Sequence, residues 1–104
     1  MPLYLRFASA KLRDICERRE TADRLLGASA SRRLRSRLAD IRAAADIRHV
    51  RVGRPKIHRN GRIAFHLSES HQMVLAPAAK PVPRNGAKEI DWSAIDTFEI
   101  VEIN

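Results

Sequence analysis

The sequence predicts an α+β domain in the order β-α-α-β-β-β-β, with two N-terminal helices packed on a mainly antiparallel sheet. Three observations predict it. Apolar residues recur at helical spacing between Leu12 and Ala45, they alternate with a period of two at both ends of the chain, and turn residues punctuate the stretch between. The 104 residues amount to about the usual size of one domain, so residues 1–104 are read as a single unit around a single core.

Leu3, Leu5 and Phe7 alternate with Tyr4 and Arg6, which predicts a first strand over Pro2 to Phe7. Ser9 offers an N-cap oxygen, and Leu12, Ile15 and Cys16 share one face of a helix from about Ala10 to Arg19. Thr21 is expected to cap a short further turn that stops at Gly27, a residue free to take positive φ. The second helix then runs from Ala28 to about Asp46. Its apolar stripe is Leu34, Leu38, Ile41 and Ala45, and Arg32, Arg33, Arg35, Arg37 and Arg42 occupy the rest of its circumference. Val50, Val52, Gly53 and Pro55 end the helical half. Lys56-Ile-His58, the turn at Asn60-Gly61, Arg62 to Leu67 and His71 to Ala76 predict a β-meander with Ile57, Ile63, Phe65 and Leu67 inward. Pro77 to Lys88 is expected to be an exposed loop, Trp92 to plug the edge of the core, and Asp96 to Asn104 to form the last strand.

Charge is the most informative bulk property. The chain carries +8 overall, but Met1 to Arg62 holds 17 basic and 6 acidic side chains whereas Ile63 to Asn104 holds 3 and 6. One electropositive surface is implied, with a polyanion, RNA above all, as the partner it fits. The plainer reading is a solvated Arg-rich face. Cys16 is the only cysteine, which excludes an internal disulfide and suits a reducing cytoplasm. No window approaches the roughly 20 apolar residues of a membrane span, and no secretory segment is expected.

Several segments together carry a resemblance: Phe7-Ala-Ser-Ala-Lys-Leu12, the Arg-rich helix with Leu34 and Leu38, the hairpin Lys56-Ile-His-Arg-Asn-Gly-Arg-Ile-Ala-Phe65, and Ile90-Asp-Trp92 followed by Phe98-Glu-Ile-Val-Glu-Ile103. In order and spacing the chain resembles the RelE/ParE-type bacterial toxins, most closely the HigB-like branch called plasmid maintenance killer proteins. The resemblance implies a RelE-like fold and the toxin component of a type II toxin-antitoxin pair. Such a toxin enters the ribosomal decoding site and cleaves mRNA there, as a metal-independent endoribonuclease or mRNA interferase with no cofactor. Its implied partners are the ribosome, mRNA and a helix-turn-helix, HigA-like antitoxin. Two alternatives stay open: a member that binds RNA or antitoxin without cleaving, and a ParE-like gyrase inhibitor.

Cleavage of that kind needs the ribose 2′-hydroxyl to attack the neighbouring phosphate, a base, an acid, and cations to stabilise the developing charge. His58, His66 and His71 are the candidate proton shuttles, and Lys56, Arg59 and Arg62 the candidate phosphate clamps. Arg32, Arg33, Arg35, Arg37, Arg54 and again Arg59 are the candidate RNA contacts. Gln72 stands where HigB-like toxins usually carry an arginine expected to stabilise the transition state; it can donate a hydrogen bond but brings no charge. The family also tends to place a Tyr or His just beyond the last strand, where this sequence has Asn104. Each histidine also has an ordinary reading as a solvated side chain on a strand or turn.

Overall fold

The first strand, β1 (Tyr4–Phe7), turns Leu5 and Phe7 towards the core and leaves Tyr4 and Arg6 exposed, as its alternation predicts. In the computed structural model, which describes residues 3–58 and 60–104, it is one edge of a five-stranded sheet. The others are β2 (Lys56–Ile57), β3 (Ile63–His66), β4 (Gln72–Pro77) and β5 (Thr97–Ile103), in spatial order β1-β5-β4-β3-β2. The meander β2 to β5 is antiparallel throughout, and β5 closes against β1 in parallel. A parallel partner requires a long crossover, and here the three helices and the meander lie between the two strands.

One irregularity sets the far end of β5. Val74 pairs with Glu102 but Leu75 pairs with Ile100, so Val101 is an extra residue in a bulge. Ile100 and Ile103, three apart, thereby both face the core, where strict alternation would have sent Ile103 outward.

Three helices cover one face of this sheet. Ser9 caps α1 (Ala10–Glu17), its Oγ accepting from the Leu12 N–H at 3.2 Å. The expected short turn after it is a full helix, α2 (Arg19–Leu26), and Thr21 is not its cap. Thr21 lies a turn inside, buried, and its hydroxyl donates to Asp14 at 3.1 Å, which ties α2 to α1. Gly27, at φ 87°, ends α2 and admits α3 (Ala28–Ala43). That helix stops three residues earlier than its apolar stripe suggests. The Ala44 carbonyl accepts from the Leu3 N–H at 3.1 Å, and Asp46 caps a 3-10 turn over Ile47–His49 instead. Leu34, Leu38 and Ile41 are buried while Ala45 is exposed. They meet Ile63, Phe65, Leu67, Met73, Leu75, Phe98 and Ile100 in one cluster.

Two further expectations change. Ile57, expected inward, is 50% exposed, because it sits on the outermost strand with no neighbour beyond it. Pro77 to Lys88 is more ordered than an open loop: Pro77 belongs to β4, Arg84 bridges Ile90, and Asn85 Oδ1 accepts from the N–H groups of Ala87 and Glu89. Trp92 begins a 3-10 turn and stacks on the wholly buried Phe98, with ring centroids 6.3 Å apart. Among the described residues no helix is long and apolar enough to cross a membrane.

Candidate nucleic-acid interface

Strand alternation separates the two faces of the sheet. Ile63, Phe65, Met73 and Leu75 point to the helices, so their neighbours in sequence point the other way. Among the described residues no helix covers that second face, since the buried helix side chains cluster with Ile63, Phe65, Met73 and Leu75 and not with Ala64 or Val74. That face presents Lys56 from β2, Ala64 and His66 from β3, Gln72, Val74 and Ala76 from β4, Glu99 and Glu102 from β5 and Arg6 from β1, with His58 and Arg62 where the β2-β3 hairpin continues. Ala64 and Val74 form a closely packed apolar floor, each under 10% exposed. The polar side chains stand around it.

The register fixes their spacing. Lys56 lies opposite Ala64 and His66 opposite Gln72, and such directly opposed side chains have Cβ atoms about 5 Å apart. The His58 N–H donates to the Arg62 carbonyl at 2.8 Å, which pairs those two residues as well. At about 3.3 Å per residue, Arg62 and His66 are separated by about 13 Å along β3. His58 and His66 therefore flank different groups of any chain laid across the sheet. None of the side chains of Lys56, His58, Arg62, His66 and Gln72 has a hydrogen-bond or ion-pair partner among the described residues, and all but the half-buried His66 are exposed.

Around His66 the chain builds a cleft of 380 Å³, bordered by Ser68, Glu69, Ser70, His71, Gln72 and Asn104. The Ser68 hydroxyl accepts from the Ser70 N–H and lies 3.2 Å from His71 Nδ1, which orients that imidazole. Asn104 is held there by two backbone bonds to Gln72, of 2.6 and 3.0 Å. In the sequence Asn104 is notable only as the residue that stands where the resemblance places a Tyr or His. The structure makes it a neighbour of Gln72 because β5 lies beside β4, a pairing that no local pattern encodes. The cleft thus brings together His66, His71 and Gln72 and leaves His58 and Arg62 at the hairpin end. Gly53 to Arg54 runs beside His66, whose N–H donates to the Gly53 carbonyl at 2.7 Å, and Arg54 is exposed there at φ 48°.

The arginines of α3 divide. Arg32 is exposed and has no partner among the described residues. Arg33 donates to the Leu67 carbonyl at 3.0 Å and fastens α3 to the end of β3. Arg35 donates to the buried Ser31 hydroxyl at 2.8 Å and stands 3.9 Å from Asp23. Arg37 is the most enclosed. Its side chain is 13% exposed, its Nε lies 3.3 Å from Asp40 without hydrogen-bond alignment, and its stem rests on Gly53. Arg59 lies outside the described residues.

Away from this face, Cys16, Asp46 and Arg48 are shifted from their ordinary values. Burial pushes the Cys16 thiol up to about 12, so it is a packed apolar group rather than a nucleophile. The Arg48 guanidinium hydrogen-bonded to Asp46 holds that carboxyl below its ordinary value, against the opposing effect of its burial. Among the described residues no group of three or more His, Cys, Asp or Glu side chains is gathered to hold a metal ion. No protein-family model, curated protein or solved structure is significantly similar to this chain.

Proposed function

We propose that this protein binds RNA on the helix-free face of its sheet and is a HigB-like toxin of a type II toxin-antitoxin pair. In that role it acts in the cytoplasm, cleaves mRNA at the ribosome and is restrained by a helix-turn-helix antitoxin. The observation that carries the reading is the unpartnered set of Lys56, Arg62, His66 and Gln72 on that face, with the Ser68-bonded His71 beside His66 at one cleft and Gln72 directly opposite His66. Groups whose hydrogen bonds are not used within the fold are available to a ligand.

In the cleavage step one imidazole of the cleft takes the proton of the 2′-hydroxyl. As that oxygen bonds to phosphorus, the bond to the 5′-oxygen breaks and the second imidazole protonates the leaving group. The products carry a 2′,3′-cyclic phosphate and a free 5′-hydroxyl. Lys56 neutralises charge on the phosphate, and Gln72 donates to a non-bridging oxygen.

Purified protein incubated with translating ribosomes tests this. Primer extension should find new mRNA ends within the ribosomal decoding site, and His66→Gln should lower the cleavage rate by about 10²-fold or more. Gln72 favours a second reading, RNA binding without cleavage, because an amide cannot replace the charge of an arginine. Growth arrest and RNA binding with intact mRNA would select it over the first. Absence of RNA binding on this face would overturn both.

A further inference from the structure

Beside Ile57, and sharing no lining residue with the His66 cleft, lies a second cleft of 580 Å³. Its apolar lining includes Ile57 and Trp92, and its rim includes Arg48, His58, Arg84 and Lys88, with Glu89 as the one carboxylate. We propose that this cleft binds single-stranded nucleic acid, with one base stacked on Trp92 and the flanking phosphates held by Arg48, Arg84 and Lys88.

The platform is stacked on the core. Trp92 lies 12° from parallel with Phe98, which is wholly buried, so the indole is held in one orientation with the cleft beside it. Two of the cations are also oriented before any ligand arrives. Arg48 gives its Nε and Nη2 to Asp46, at 3.1 and 2.7 Å, and Arg84 gives its Nη1 to the Lys88 carbonyl at 3.0 Å. A guanidinium has five N–H donors, so each keeps several for a phosphate. Lys88 takes φ 63°, a left-handed conformation uncommon for a side-chain-bearing residue, in the Asn85 to Glu89 turn that sets its ammonium on the rim. Arg48 is already balanced by Asp46, with Asp91 also near it, so the free charge of the lining is that of Arg84 and Lys88 against Glu89, an excess that favours an anion. A planar aromatic floor selects a base-bearing anion over an acidic peptide, since every base has a π-face and a carboxylate side chain has none. The site is distinct from the His66 cleft, and nothing in its chemistry requires cleavage.

Trp92 is the only tryptophan in the chain, so its fluorescence reports on this cleft alone. A short 2′-O-methyl oligoribonucleotide, which lacks the attacking hydroxyl, isolates binding here from any reaction on the sheet. Titrating it into the whole protein should quench Trp92. Anisotropy of the labelled oligonucleotide should show affinity about tenfold weaker for Trp92→Leu, and largely retained for Trp92→Phe. The exposed rim variants Arg84→Glu and Lys88→Glu should also weaken binding about tenfold, and they keep the test open if Trp92→Leu fails to fold. Unquenched Trp92 with bound oligonucleotide, or undiminished affinity in both rim variants, overturns the proposal. Quenching by poly-glutamate as strong as by the oligonucleotide also overturns it, and identifies an acidic peptide as the occupant.

Discussion

Asp46 caps a turn and pairs with a cation through one carboxylate: its Oδ1 accepts from the Arg48 N–H and Nε, and its Oδ2 from Nη2. Its folded pKa is held below the ordinary 3.8. The charged form is therefore favoured by folding, and the stabilisation is complete above the unfolded value and lost as pH falls through the folded one. Asp46→Asn keeps a cap oxygen but removes the charge. It should be about 1 kcal/mol less stable than the parent in urea unfolding at pH 7, and that gap should close as the pH drops below about 4. Cys16 offers a second residue-scale check. With its thiol at about 12, alkylation at pH 8 should be slow in the native protein and fast in denaturant. Fast native labelling would mean that α1 opens readily from the sheet.

The β2-β3 hairpin depends on Gly61. Asn60 Oδ1 accepts from the Arg62 N–H at 3.0 Å, and Gly61 takes φ 89° with room for a Cβ only 3.1 Å from the Ile90 side chain. An alanine there meets both a left-handed backbone and a close neighbour. Gly61→Ala should lower stability by about 1–2 kcal/mol, read from the denaturation midpoint at unchanged slope. Helix α3 shows at the same scale why a row of arginines cannot be read as one kind of surface. Arg32 and Arg37 share an Arg-rich sequence, yet one is exposed and the other lies under Gly53. Helical spacing gives the angle of each side chain about the axis, but not which loop will later cross over it. Likewise Thr21 is a reasonable cap in sequence, and only the approach of Asp14 from α1 makes it an interior tie.

For the whole molecule the excess positive charge of the first 62 residues becomes a question of which cations are unpaired. Those on the helix-free face have no partner among the described residues, whereas Arg33, Arg35 and Arg37 hold the fold together. Salt dependence separates the two groups. For single-stranded RNA each phosphate contact contributes about 0.7 to the slope of log affinity against log salt. Lys56→Gln with Arg62→Gln should reduce that slope by roughly 1.4, while Arg37→Gln should lower stability and leave the slope unchanged. An unaltered slope in the double variant would place RNA elsewhere on the protein.

The alternation of Leu3, Leu5 and Phe7, the stripe of Leu34, Leu38 and Ile41, and the meander around Asn60-Gly61 are local periodicities, and they determined the α+β class, the order of strands and which side chains of β3 are buried. They also put Lys56 and His66 on one face, since a period of two leaves no other choice. Tertiary structure alone decided the rest. The pairing of β5 with both β1 and β4, and the Val101 bulge, join residues far apart in the chain, such as Phe7 with Ile100 and Pro77 with Phe98, so neither could be read from a window of sequence. That pairing brings Asn104 to Gln72 and builds the His66 cleft. The packing of Asp46 and Arg48 near Trp92 creates the second cleft in the same way, because a site lined from separate elements exists only once the elements meet.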